Sequence, residues 1–511
     1  MEVLSNIIHF GAQVALNPIN ILYCFAGVLF GTLVGVLPGI GPMGGIALLL
    51  PLTFTLNPTS GIIMLAGLYC GVMYGGSTTS ILVNIPGETA SIVTCIDGHE
   101  MAKQGRAGPA LGIAAMGSWI GGTFGLICLM FLAYHLSVIA LKFGPPEYFA
   151  LMSAGLMFLT YLTKASTLKT WVMIVTGLLL GTIGQDQITG VIRFDLGIPQ
   201  LSDGIPLVPL AMGLFGISEI LINLEKPLTR MVYKARIRNL LPNRDDWKRS
   251  TPPIIRGSLL GFCIGLFPGG SGVLSSFASY ALEKKVSRHS EELGKGAIEG
   301  VAGPETANNS ATAGAFVPFL SLGIPSNGTM ALMLGALLIH GIVPGPLLIE
   351  DHPDLFWGVI GSMYLANIML VILNLPLIGI WVRVLKVPYQ LLFPFILLFC
   401  LLGTYSLNYS VFDLYMLVFF TIIGYGLRKL EYPMAPLILA RVLGPRIELA
   451  FFQSMVISDG HLSIFVKKPI SCVVLSFGML LIIHSVFKYF KNARGKSSND
   501  MPYHFGEEEE I

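Results

Sequence analysis

Two stretches of this 511-residue chain hold most of the side chains able to do chemistry. The first reads Tyr74-Gly75-Gly76-Ser77-Thr78-Thr79-Ser80-Ile81-Leu82-Val83-Asn84-Ile85-Pro86-Gly87-Glu88. The second begins Gly303-Pro304-Glu305-Thr306-Ala307-Asn308-Asn309-Ser310 and leads to Gly323-Ile324-Pro325-Ser326-Asn327. Each sets hydroxyls and amides in apolar surroundings and then breaks at a proline. A broken helix exposes N–H groups at one half-helix end and C=O groups at the other, so it binds anions and cations without fixed charges. Ser77, Thr78, Thr79, Asn84, Asn308, Asn309, Ser310, Ser326 and Asn327 are therefore the candidate contacts for a carboxylate substrate and a co-transported cation. The competing reading is helix packing by small residues, with Ser and Thr bonded back onto the backbone.

Fixed charge near these segments is sparse. Glu305 stands inside a small-residue stretch, and an ionisable group within a span is a functional candidate by default, so it is the expected cavity carboxylate. Lys and Arg are absent from 74–88 and 303–329, which removes a bidentate guanidinium clamp from within the segments and leaves a loop residue such as Arg106 as the alternative. Residues 97–106, Asp-Gly-His-Glu-Met-Ala-Lys-Gln-Gly-Arg, read as a polar loop with solvated charges. No Walker Gly-x-x-x-x-Gly-Lys-Ser/Thr, Gly-x-Ser-x-Gly or His-Glu-x-x-His pattern occurs, so neither a nucleotide-driven pump nor a hydrolase has support. The seven cysteines lie apart without a CxxC and read as packing residues, and no metal site or cofactor is expected.

The elements that position these groups follow from composition. Hydrophobic residues make up 53% of the chain and charged residues 12%, with a mean hydropathy of +0.73, which excludes a water-soluble globule. A formal charge of +2 leaves no basic surplus for nucleic acid. The clearest apolar spans are 109–141, 171–184, 205–224, 355–381, 391–404, 414–427 and 469–487. The chain begins without a basic signal region, so the first span is expected to drive insertion.

Gly and Pro interrupt other apolar runs, and such breaks are tolerated at membrane depth only where protein buries them or a cavity is lined. Gly35-Val36-Leu37-Pro38-Gly39-Ile40-Gly41-Pro42 matches Gly265-Leu266-Phe267-Pro268-Gly269-Gly270-Ser271-Gly272 at an offset of 230. Asn84-Ile85-Pro86-Gly87 matches Gly323-Ile324-Pro325-Ser326 at an offset of 239. Paired interrupted segments of this kind point to a transporter's binding site. Pro38, Gly39, Gly41, Pro86, Gly87, Pro268, Gly269, Gly270 and Pro325 are the expected hairpin tips and breaks, and 257–282, basic at both flanks, reads as a re-entrant hairpin rather than one kinked span. The expected organisation is a first membrane repeat at 20–225, a basic cytoplasmic loop at 226–256, a second repeat with additional helices at 257–490, and a disordered cytoplasmic tail at 491–511. The fold class is an all-α polytopic membrane protein with about ten to twelve transmembrane helices, broken or re-entrant hairpins and two repeated halves.

These motifs, together with Ile96-Asp97-Gly98-His99-Glu100-Met101-Ala102, Ile298-Glu299-Gly300-Val301-Ala302-Gly303-Pro304-Glu305, Ala435-Pro436-Leu437 and Leu443-Gly444-Pro445, resemble the large membrane subunit of the bacterial tripartite tricarboxylate transporters, over about residues 20–490. The resemblance implies a secondary transporter of the bacterial inner membrane, importing tricarboxylates or related carboxylic acids on a sodium or proton gradient. It also implies two partners, a small four-helix membrane subunit and a periplasmic substrate-binding protein. The chain departs from the family at Pro325-Ser326, where Pro-Gly is common, and at Phe452, before Gln453-Ser454, where a basic residue is usual. The rival readings are a channel-like or scaffold subunit without coupled transport, and an intramembrane enzyme.

Overall fold

The computed structural model describes residues 2–162, 166–186, 188–225, 240–267, 269–270, 272–385 and 389–494. An apolar helix over Val3–Ala15 precedes α1 (Pro18–Val36), α2 (Gly41–Thr53), α3 (Pro58–Val83), α4 (Ile92–Lys103), α5 (Ala107–Ala140), α6 (Pro145–Leu162), α7 (Thr167–Gly181) and α8 (Leu207–Glu225). After the basic segment come α9 (Arg244–Gly265), α10 (Gly272–Val286), α11 (Glu299–Leu322), α12 (Gly328–Ile339) and α13 (Pro353–Asn374). The chain then forms α14 (Tyr389–Asn408), α15 (Val411–Lys429), α16 (Met434–Ile457) and α17 (Pro469–Arg494). Between α7 and α8 a small hairpin pairs β1 (Gly184–Gln185) with β2 (Ile192–Arg193).

Local sequence starts and stops these helices. Asn17 and Asn57 cap α1 and α3, each accepting from the amide two residues on at 3.0 Å, with proline in the next position where no N–H is needed. Among the described residues, six helices are long and apolar enough to cross a membrane: α1, α3, α5, α8, α13 and α15. Shorter apolar helices accompany them, and α2 and α12 are short because Gly and Pro breaks cut their apolar runs. Two of the six long helices, α1 and α3, fall outside the clearest sequence spans, and α3 is dense in Gly and hydroxyl residues.

Backbone approach at small residues holds the fold. Gly27, Gly31 and Gly35 of α1 lie against the carbonyls of Met64, Leu68 and Val72 of α3, where an added Cβ would come within 2.0, 2.2 and 2.4 Å. Gly257, Gly261 and Gly265 of α9 meet Gly303, Ala307 and Ala311 of α11 in the same way, at 2.5, 2.2 and 2.3 Å. Every pair in the first set maps onto one in the second by adding 230 to the first helix and 239 to the second, the same offsets that the sequence motifs give. The duplication therefore extends beyond its breaks to its packing.

Contacts in each set advance together, so α1 runs parallel to α3 and α9 parallel to α11. Between the two central helices the order reverses. Ser77 of α3 reaches Glu305 of α11, while Tyr69, two turns earlier, reaches Asn327, beyond the end of α11. The two units thus run in opposite directions. Each also sends a helix to the other: α5 packs on α11 through Gly121 and Gly125, and α13 meets α3 where Tyr74 donates to Asn367 at 2.6 Å.

Arg256 of α9 forks onto Glu283 of α10 at 2.8 and 2.6 Å, so these helices lie antiparallel with both basic flanks at one end. Arg249 meets Glu299 at 2.8 Å at that same end, and Arg106 pairs with Asp246. Of the expected basic loop, 226–239 lies outside the described residues, and from Arg244 the chain is already helix, opened by a reciprocal cap between Asn243 and Asp246. Of the expected tail, 495–511 lies outside the described residues. Gly31→Leu and Gly261→Leu are expected to abolish folded protein, read as loss of a monodisperse peak and of a thermal transition in detergent. Gly426→Ala, which faces open space, is expected to leave both unchanged.

Candidate functional site

Each repeat brings a hairpin tip, a helix break and a helix start to one place. At the first tip Gly39 takes φ +102°, which only glycine adopts readily, and a Cβ there would strike the Asn223 amide at 2.1 Å. Gly41 also has positive φ. Pro38 lies in the bend between α1 and α2. Thr79 ties the bend to α3 by donating to the Val36 carbonyl at 2.6 Å, and Gly87 lies against the Gly35 carbonyl. In the second repeat Gly269 (φ +84°) donates its amide to the Ser326 carbonyl at 2.5 Å, and Gly270 turns tightly over the Ile264 carbonyl. Pro268 lies outside the described residues.

The breaks match residue for residue. Asn84 ends α3 in the left-handed conformation (φ 58°), and Gly323 ends α11 likewise (φ 68°). Pro86 and Pro325 follow, each refusing the next helical hydrogen bond. Glu88 then accepts from the Ala90 amide at 2.6 Å, and Asn327 accepts from the Met330 amide at 3.0 Å, so both cap the segment that resumes.

The caps also reach across the repeats. Asn308 of α11 donates to Glu88 at 3.4 Å, and Asn327 donates to the Tyr69 hydroxyl of α3 at 3.2 Å. Tyr69 and Asn308 are equivalent by the offset of 239, as are Glu88 and Asn327, so one contact is the mirror of the other. The Asn308 Oδ1 and Ser326 Oγ atoms, both flanking the second tip, are buried with no hydrogen-bond partner among the described residues.

Glu305 is 1% exposed. Its carboxylate accepts from Ser77 at 2.6 Å and from Thr94, and no cationic side chain pairs with it among the described residues. Beside it a void of about 10 Å³, bordered by Tyr74, Ser77, Thr78, Ser118 and Asn374, is the size of one water or one bare cation.

The sequence candidates therefore divide. Ser77 and Thr78 border the void and Ser77 holds Glu305 beside it, while Asn308, Ser326 and Asn327 gather at the second tip. The other three polar candidates on α3 and α11 serve the backbone: Thr79 as above, Asn309 to the Glu305 carbonyl at 3.1 Å, and Ser310 to the Ser258 carbonyl at 2.7 Å. Residues 97–103 are not a solvated loop but part of helix α4, which buries Asp97 completely. Its carboxylate accepts from the amides of Gly294, Gly296 and Ala297 at 2.8–2.9 Å and from Tyr280 at 2.9 Å, because the loop after α10 wraps over α4. Arg106 is occupied by Asp246 and lies away from the tips. All seven cysteines are free thiols.

Sequence reasoning passed over Tyr69 and the arginines of α16. Arg441 and Arg446 line a cavity of about 960 Å³ at the end of α11 opposite the basic end, which borders Leu322 and Gly323 of the second break. The signal was present as the unusual pairing of two arginines with an apolar helix, but nothing in spacing ties them to the break.

Two oppositely directed repeats, interrupted at matched positions and joined through a buried polar layer, define a polytopic membrane transport protein. The chain belongs to the tripartite tricarboxylate transporter TctA family, which it matches over residues 21–439, and it is a component of such a transporter. It is 49% identical, over 97% of its length and 99% of the relative's, to an uncharacterized 52.8 kDa protein in the TAR-I ttuC' 3' region of Agrobacterium vitis. A second Agrobacterium vitis protein, from the TAR-II ttuC' 3' region, is 47% identical over 46% of this chain and 97% of its own. An uncharacterized Methanocaldococcus jannaschii protein is 23% identical over 40% of this chain and 49% of its own. No solved structure matches the chain.

Ser77→Ala and Thr94→Val each remove a donor from a buried carboxylate and are expected to cost about 1.5 to 3 kcal/mol. In Glu305→Gln, where that charge is gone, the same substitutions are expected to cost clearly less. Thermal unfolding in detergent across the double-mutant cycle measures this, and additive effects would remove Glu305 as the shared partner.

Proposed function

We propose that the chain is the large permease subunit of a binding-protein-dependent tripartite system, importing a tricarboxylate or related carboxylic acid by alternating access on a sodium or proton gradient. Its partners on this reading are a small four-helix membrane subunit and a periplasmic substrate-binding protein, with the complex in the inner membrane. The observation that carries the reading is the crossed contact of Asn308 with Glu88 and of Asn327 with Tyr69. Each break is braced by the opposite repeat, so two repeats able to rock about this layer would expose it to one side at a time. The anion meets half-helix N–H ends, amide N–H groups and hydroxyls there, the unpartnered Ser326 Oγ among them, while the unpartnered Asn308 Oδ1 is an acceptor and suits a cation. The coupling ion meets Glu305, Ser77 and Thr78 around the adjacent void, where a cation or a proton relieves an otherwise uncompensated carboxylate.

The end bearing Arg244, Lys248, Arg249, Lys284 and Lys285 is cytoplasmic on this reading, by the excess of basic residues there. Single cysteines replacing Lys248 and Lys285, both exposed, are then expected to react with a membrane-impermeant maleimide only after the membrane is opened. Reaction of either in intact cells would overturn the orientation.

Transport itself is tested by uptake of labelled citrate into proteoliposomes holding the complete complex. Uptake is expected to collapse when the sodium and proton gradients are dissipated with citrate still in excess outside; continued equilibration would mark a channel, and altered product an enzyme. Asn308→Ala is expected to weaken citrate affinity roughly tenfold to hundredfold at normal membrane abundance, the loss of one hydrogen bond to a charged group. Glu305→Gln is expected to abolish the dependence of uptake on the coupling ion.

A further inference from the structure

The cavity at the end of α11 carries more chemistry than packing requires. At about 960 Å³ it is as large as the sites that enclose small ligands, and its walls are mostly apolar, with Phe54, Phe143 and Tyr148 among them. Against that lining stand two guanidinium groups, Arg441 and Arg446 of α16. Arg441 donates once, from Nη2 to the Ile205 carbonyl at 2.9 Å, and its Nε is buried without a partner. Arg446 donates to the Gly323 carbonyl at 3.4 Å, a long contact at the end of α11. Each guanidinium has five N–H donors, so most of its capacity is unspent.

Two carboxylates, Asp203 and Asp351, border the same cavity, yet neither arginine forms an ion pair among the described residues. That is uncommon, because a cation drawn away from water is normally matched by a charge. The other arginine near the rim behaves in the ordinary way: Arg193 of the β-hairpin forks onto Glu448 at 2.7 and 3.0 Å. Arg441 and Arg446 lie five residues apart on one helix, a rise of about 7.5 Å, so a single carboxylate does not engage both forks squarely.

We infer that this cavity is an anion-receiving vestibule, in which Arg441 and Arg446 grasp two carboxylate groups of one di- or tricarboxylate before it passes the Gly323 break to the polar layer. The inference rests on the transport reading above and adds to it a second site, with a reason to prefer polycarboxylates. It also supplies the guanidinium clamp that the binding segments themselves lack.

The test uses the complete complex in proteoliposomes with citrate as the probe. Arg441→Gln and Arg446→Gln are each expected to raise the KM for citrate roughly tenfold to hundredfold while kcat changes little. Arg441→Lys and Arg446→Lys, which keep the charge and lose the fork, are expected to recover part of that loss and to serve as folded comparators. Independently of transport, a cysteine replacing Gln453 in the cavity wall of an otherwise cysteine-free chain is expected to be protected from maleimide by citrate, and much less by acetate. If wild type moves no carboxylate, the transport reading fails and takes the vestibule with it. If wild type transports citrate while the Gln variants keep its KM, or if an anionic lipid protects the cysteine and citrate does not, the vestibule alone is overturned.

Discussion

A helix broken inside a bilayer leaves backbone N–H and C=O groups where no water can reach them, and the rest of this structure follows from satisfying those groups. The protein uses neighbouring segments of the same repeat as its solvent. Thr79 covers the Val36 carbonyl at the first tip, and the Gly269 amide is met by the Ser326 carbonyl at the second. Left-handed residues at Asn84 and Gly323 turn the chain out of each helix, and Glu88 and Asn327 cover the amides of the segments that resume. Close approach is the condition for all of this, and the glycine rows of α1 and α9 supply it.

The polar layer is accordingly neither a pore nor an ordinary core. Some of its hydroxyls and amides are consumed by backbone carbonyls, as with Asn309 and Ser310, and contribute packing order. Others are left with capacity: the Asn308 Oδ1, the Ser326 Oγ and the uncompensated Glu305 carboxylate. Buried polar atoms without partners are costly to keep, and Asn308 Oδ1 and Ser326 Oγ both flank the second tip.

Much of this was legible in the sequence, and the boundary of legibility has a physical cause. Gly and Pro act on their own stretch of backbone, so the tips at Gly39 and Gly269 and the breaks at Pro86 and Pro325 could be read locally, and their two offsets could be compared. Tyr69, Arg441 and Arg446 could not be read this way, because their significance lies in partners far along the chain: Asn327, 258 residues from Tyr69, and Gly323, 123 residues from Arg446. Asp97 was misread for the same reason. A run with Asp, His, Glu, Lys and Arg looks solvated until the loop that covers it is known, and that loop is nearly two hundred residues downstream.

The two offsets, 230 and 239, differ by nine residues, and the difference falls where the connection between hairpin and central helix is longer in the second repeat. In the first repeat 54–57 suffices; in the second the chain uses 287–298. That added length holds the amides of Gly294, Gly296 and Ala297 that grip Asp97. The position equivalent to Asp97 in the other repeat is Ala336, which has nothing to be gripped by. The longer connection in one copy of the duplicated unit is therefore a clasp at one end of the molecule, with no twin at the other. Parting this end of the molecule breaks four hydrogen bonds to one carboxylate, and the equivalent place at the opposite end holds none like them. The two units are thus alike in how they pack and unlike in what holds their ends shut.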